Sequence, residues 1–81
     1  MEKEIGKVIH WYDKIGVAVV KLSGGLKVGD NIGIKHGQTE FTDAVVSMQL
    51  DHQPIESGQP GQEVAIKLSQ TATKGAVIYQ G

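Results

Sequence analysis

Cysteine and arginine are both absent from this 81-residue sequence. The absence of cysteine excludes disulfide staples, thiolate nucleophiles and cysteine-ligated metal sites. All eight basic residues are lysines, and the formal net charge is −1. Because arginine makes most bidentate contacts to phosphate and guanine, its absence argues against a strong nucleic-acid-binding protein.

The sequence also lacks long apolar runs, and no stretch approaches the roughly 20 residues of a membrane-spanning helix. Residues 1–4 carry charges of both signs and lead into a strand-like run, unlike the apolar core of a signal peptide. We therefore expect a cytoplasmic protein with no membrane contact. A chain of 81 residues is expected to form one domain, covering residues 1–81.

The hydrophobic residues, 40% of the chain, fall in short alternating runs with no helical period. Glycine-rich turns separate these runs, which is typical of consecutive β-strands. The predicted strands are 4–12, 17–22, 31–35, 41–50, 62–68 and 76–79. Because closure removes exposed strand edges, this pattern predicts an all-β fold, a small antiparallel β-barrel of six or seven strands.

Alternation along these strands also predicts the core and the turns. We expect Gly16 to adopt a positive φ and Pro60-Gly61 to form a type II turn. Asp13 and Asp30 lie at turns, where their side chains are expected to cap backbone amides. The predicted core is Ala18, Val20, Leu22, Ile32, Ile34, Val46, Met48, Leu50, Val64, Ile66 and Leu68.

Three segments follow one another along the chain, at 25–34, 45–66 and 74–79. The first contains Gly-Leu-Lys-Val-Gly-Asp, the second contains Pro60-Gly61, and the third is a lysine-glycine pair followed by an apolar strand. Together they resemble domain two of elongation factor Tu and related translational GTPases, with Pro60-Gly61 in place of the alanine-glycine pair of that family. The resemblance implies a β-barrel of the translation-factor domain-two type, acting as a non-enzymatic binding module that contacts tRNA or ribosomal RNA.

The stretch 48–56, Met-Gln-Leu-Asp-His-Gln-Pro-Ile-Glu, carries two further resemblances. It is similar to small free-standing proteins described as translation elongation factor-like. It is also similar to the C-terminal barrel of collagenase-like peptidases, some of which act in tRNA modification. The second resemblance implies an alternative function, a protein-interaction module that docks on a larger enzyme.

Several motifs of catalytic proteins are missing. No G-x-x-x-x-G-K-[ST] phosphate loop occurs, so we expect neither a GTPase domain nor a nucleotide cofactor. The hairpin between Leu22 and Leu26 is shorter than in elongation factor Tu. No G-x-S-x-G elbow is present, and the three histidines lie 26 and 16 residues apart, which is not a metal-binding motif. We therefore predict no enzymatic activity, no metal and no cofactor.

One cluster, His10-Trp11-Tyr12-Asp13-Lys14, places half of the aromatic residues beside an imidazole and a lysine. Strand alternation puts Trp11 and Tyr12 on opposite faces, so at most one ring fills the core. An exposed ring near Lys14 is suited to stack on an unpaired base or to contact a protein. The alternative is a ring that only covers one end of the barrel. The candidate binding residues are His10, Trp11, Tyr12 and Lys14.

Overall fold

A computed structural model describes residues 3–80, and all regular structure in them is β-strand. None of these residues forms a helix long and apolar enough to cross a membrane. The ten strands are β1 (Glu4–Tyr12), β2 (Val17–Leu22), β3 (Leu26–Lys27), β4 (Asn31–His36), β5 (Thr39–Ala44), β6 (Met48–Leu50), β7 (Gln53–Pro54), β8 (Ser57–Gly58), β9 (Glu63–Lys67) and β10 (Val77–Gln80).

Eight strands form one sheet in the order β5-β4-β10-β1-β2-β9-β6-β7, and β3 pairs with β8 in a small second sheet. Every pairing is antiparallel, which confirms the all-β antiparallel prediction. The strand count is higher than six or seven because β3, β7 and β8 are two-residue strands. No strand pairing within residues 3–80 joins β5 to β7, so the ladder alone does not close into a barrel.

The carboxylate of Asp43 connects the end of β5 to the chain that follows β9. It accepts hydrogen bonds from the Ser69 N–H at 2.7 Å and from the Ser69 hydroxyl at 2.8 Å. The Ala44 N–H donates a third, also at 2.8 Å. Burial raises the pKa of Asp43, but these three hydrogen bonds outweigh it and hold the pKa below the ordinary value. We call this contact the Asp43 bridge.

The core lies on the inner face of the curved sheet. Its buried apolar residues are Ile5, Val8, Ala18, Val20, Leu22, Leu26, Ile32, Ile34, Val45, Met48, Val64, Ile66, Leu68, Ala72, Ala76 and Ile78. Nine of the predicted core residues are among them, and Leu50 is partly buried against this cluster. Burial of this apolar surface is the main favourable contribution to folding.

The prediction of Val46 as a core residue is wrong, because its side chain is 67% exposed while Val45 is buried. The predicted strand 41–50 is in fact two strands, since residues 45–47 separate β5 from β6. The backbone of Val45 pairs with the preceding turn: its N–H donates to the Asp30 carbonyl at 2.9 Å, and its carbonyl accepts from the Gly29 N–H at 2.7 Å. This interruption shifts the alternation by one residue.

Three predictions about the turns are confirmed by backbone angles and hydrogen bonds. Gly16 has a φ of 65°. Gly61 has a φ of 90°, and the Gln62 N–H donates to the Gln59 carbonyl across Pro60-Gly61, as in a type II turn. The Asp30 carboxylate accepts a hydrogen bond from the Lys27 N–H at 3.0 Å, which confirms its capping role.

Candidate functional site

The β1–β2 hairpin positions the aromatic cluster that the sequence singled out. A β-bulge between Val8 and His10 resets the register of β1 against β2. Beyond the bulge Trp11 pairs with the buried Ala18, while Tyr12 pairs with the outward-facing Val17. Trp11 therefore packs partly buried against the core, and Tyr12 points outward with 50% of its surface exposed.

The four candidate residues separate into three environments. His10 and Tyr12 share the outer face, with ring centroids 6.3 Å apart and ring planes tilted by 36°. Trp11 belongs to the opposite face, where its indole N–H donates to the Asp13 carboxylate. Within residues 3–80 the Asp13 carboxylate accepts this bond and no backbone N–H, so the prediction that it caps a backbone amide is wrong. Lys14 is exposed in the turn after β1.

A concavity of about 510 Å³ lies on this outer face, beside Tyr12. Its floor is Val17, Val19 and Ala65, and the small side chain of Ala65 lies between Val19 and Gln49 in the strand register. We call it the outer concavity. The residues that line it are Tyr12, Ile15, Val17, Val19, Gln49, Asp51, His52, Glu63 and Ala65.

The β6–β7 hairpin forms one edge of the outer concavity with an unusual turn. Asp51 and His52 are its two central residues, with φ values of 52° and 65°. Two consecutive positive φ angles are typical of a type I′ turn, in which aspartate, asparagine or glycine is preferred at the first position and glycine at the second. Asp51 fits the first position, so the backbone strain falls on His52, and such strain is often found at functional positions.

The outer concavity combines apolar surface with two carboxylates. Tyr12 and Ile15 are 50% and 60% exposed, so this face leaves large apolar side chains in water. Within residues 3–80 neither Asp51 nor Glu63 forms an ion pair. The arrangement is suited to burying apolar side chains from a partner.

No group of three histidine or acidic residues in the described part of the chain is placed to hold a metal ion. The three histidines lie apart: His10 on β1, His36 at the end of β4 and His52 in the β6–β7 turn. His36 Nδ1 is 3.2 Å from the Thr73 hydroxyl.

Tyr12 is among the binding residues predicted from the sequence, whereas the residues that form the floor of the outer concavity are not. Residues 17–20 read Val-Ala-Val-Val, so β2 is apolar on both faces. A strand of that kind indicates that both of its faces are covered, or that one of them is an interaction surface. This signal was available in the sequence, whereas the position of Ala65 and the β6–β7 turn beside it depends on tertiary pairing.

The chain matches no family model. It is 38% identical over 77 residues to an uncharacterised protease of Methanocaldococcus jannaschii. That match covers 94% of this chain but only 19% of the protease, so the chain spans about a fifth of the length of this relative.

The fold is shared with two crystal structures of the C-terminal domain of a U32 peptidase from Geobacillus thermoleovorans. The selenomethionine form has a TM-score of 0.91 at 16% identity, over 96% of this chain and 99% of that domain. The second has a TM-score of 0.89 at 16% identity, over 95% of this chain and 90% of that domain. These similarities fit the predicted resemblance to collagenase-like peptidases, and they give no support to the elongation-factor interpretation or to tRNA and ribosome binding.

Proposed function

We propose that this domain is a non-catalytic protein-interaction module that docks on the catalytic part of a U32-type peptidase. The observation that carries the proposal is the size relation in the protease match. Nearly all of this chain aligns with a protease of which it spans only 19%. A fold of the same kind is the C-terminal domain of another peptidase. The domain would dock on the catalytic part either within one chain or as a separate chain.

The surface of the domain supports an interaction role. The outer concavity exposes Tyr12 and Ile15 beside the valines of β2. Tyrosine is enriched among the residues that dominate binding energy at protein interfaces. The sequence has no cysteine nucleophile and no nucleophile-elbow motif, so the proposal assigns the chemistry to the rest of the peptidase.

The direct test is calorimetric titration of this protein into the purified U32-type peptidase of the same organism at about 150 mM salt. A dissociation constant in the micromolar range or tighter is expected, as for other specific interactions between folded domains. Absence of binding, together with no intramolecular contact in a chain that carries both parts, would contradict the docking role.

Two further arms test the rival functions. Hydrolysis of casein or gelatin by this protein alone, above a buffer control, would contradict the non-catalytic assignment. Titration with tRNA at about 50 mM salt, where phosphate contacts are still strong, tests the RNA alternative. Binding to tRNA as tight as to the peptidase would favour the RNA role instead.

A further inference from the structure

The two acidic residues of the outer concavity belong to its lining. Asp51 and Glu63 both line it, and no lysine does. Lys21 lies opposite Glu63 in the strand register, yet it forms no ion pair with it among the described residues and does not line the concavity. Lys67 likewise lies opposite Val17, outside the lining and without an ion pair among the described residues. The charged carboxylates that a partner meets inside the concavity are therefore those of Asp51 and Glu63.

The apolar surface between these carboxylates has the dimensions of a binding site for side chains. A volume of about 510 Å³ lies within the range of roughly 300–1,000 Å³ that is typical of ligand pockets. Tyr12 and Ile15 form one wall, and the turn containing Asp51 and His52 forms the other. The β6–β7 turn, with a positive φ at both of its central residues, places Asp51 in the lining of the concavity.

We propose that the outer concavity binds a protein segment that presents apolar side chains together with lysine or arginine. This inference rests on the proposed function, because the segment is assigned to the catalytic part of the peptidase. Apolar side chains of the segment would be buried against Tyr12, Ile15 and the valines of β2. Its positive charges would pair with Asp51 and Glu63, which are otherwise without an ion-pair partner in residues 3–80.

The same charges disfavour RNA at this surface. The phosphates of an RNA that entered the concavity would lie near these carboxylates, and like charges repel. Counterion release, the main source of RNA affinity, requires lysine or arginine at the contact, and none lines the concavity. The observations therefore favour a basic and apolar protein segment over nucleic acid.

The test measures binding of variants to the full-length U32-type peptidase of the same organism by calorimetry. The double variant Tyr12→Ser/Ile15→Ser is expected to weaken binding at least thirtyfold, as truncation of hot-spot residues does. Both side chains are exposed, so their loss should leave the thermal midpoint nearly unchanged. Val46→Ser is the matched control, because Val46 is exposed outside the outer concavity and its replacement should not change affinity.

The charge variants test the chemistry of the partner. Asp51→Asn and Glu63→Gln are each expected to weaken binding about three- to tenfold at 20 mM salt and less at 300 mM, because salt screens exposed charges. Asparagine tolerates a positive φ, so Asp51→Asn keeps the turn. Glu56→Gln is the control, since Glu56 is exposed and does not line the concavity.

The outcomes separate this inference from the proposed function. If the peptidase binds and the Tyr12→Ser/Ile15→Ser variant binds equally well, the inference is wrong and the docking role stands. Tighter binding of the two charge variants would also overturn it, since the partner segment would then be acidic. The inference would also be wrong if calorimetry or scattering showed that a second copy of this chain binds in the concavity. If neither the wild type nor any variant binds the peptidase, both proposals fail.

Discussion

Replacing Asp43 with asparagine tests how much the Asp43 bridge, at the edge of the sheet, contributes to the stability of the fold. In the Asp43 bridge a single carboxylate accepts hydrogen bonds from the Ser69 N–H, the Ser69 hydroxyl and the Ala44 N–H, at 2.7–2.8 Å. The bridge joins β5, a strand at one edge of the sheet, to Ser69, which lies 26 residues further along the chain. An asparagine side chain has almost the same volume, but it carries no charge and offers one acceptor oxygen instead of two.

The expected loss follows from the strength of hydrogen bonds to charged groups. Each contributes about 1.5–3 kcal/mol net when well shielded. Asp43 is only partly buried, so we expect a total loss of about 1.5 kcal/mol for Asp43→Asn, at the lower end of that range. For a domain of this size such a loss lowers the midpoint of thermal unfolding by about 6–12 °C.

The pH dependence supplies a second and independent signature. Because the folded-state pKa of Asp43 is lowered, its contribution is present above the pKa of an unfolded aspartate, near 4, and is lost as the pH falls through the folded-state pKa. The difference in midpoint between wild type and Asp43→Asn should therefore be full at pH 7 and shrink between pH 4 and pH 2. Circular dichroism melts across that range measure it, with the exposed Glu56→Gln as the control for charge removal. Midpoints within 2 °C of each other at pH 7, or a difference that does not change with pH, would refute the role of the bridge.

Three core and turn positions give further expectations, two of them with a control variant, and all are measured by thermal unfolding. Gly58→Ala should cost about 1–3 kcal/mol because its new Cβ would lie 2.5 Å from a core leucine methyl carbon, whereas a Cβ at Gly25 would meet only the Gly58 carbonyl at 3.9 Å, so Gly25→Ala should cost little. Val45→Ala should cost at least about 1.6 kcal/mol for two buried methyl groups, while Val46→Ala should change stability by less than about 0.5 kcal/mol. Equal effects of the two valine variants would contradict the register of residues 45–47. His52→Gly should stabilise the protein by about 1 kcal/mol, since glycine adopts the observed φ of 65° without strain, and an unchanged midpoint would contradict that strain.

Much of the fold could be predicted from the sequence because its strands alternate cleanly and its turns contain the residues that those turns require. Val64, Ile66 and Leu68 are buried as alternation predicts. The prediction of buried residues from alternation is wrong where one strand ends and the next begins without a glycine or proline to mark the change. That occurs at residues 45–47, where hydrogen bonds to the 29–30 turn decide which valine is buried.

The candidate site was predictable only in part. Alternation correctly placed Trp11 and Tyr12 on opposite faces, because this property is local to one strand. Val19, Ala65 and Gln49 belong to three different strands, and the depression between them exists only after β2, β9 and β6 have paired. The carboxylates of Asp51 and Glu63 are 12 residues apart in the sequence, and only the fold brings both to the same concavity.

The central claim is that this domain docks on a U32-type peptidase through the outer concavity, and methyl NMR tests it most directly. The spectra of the isotope-labelled protein would be recorded with and without the unlabelled full-length peptidase of the same organism. We predict that the methyl signals of Ile15, Val17 and Val19 shift or broaden, while those of Val28 and Val46, which are exposed outside the concavity, remain unchanged. Unchanged signals from the concavity, with or without shifts at Val28 and Val46, would contradict the claim.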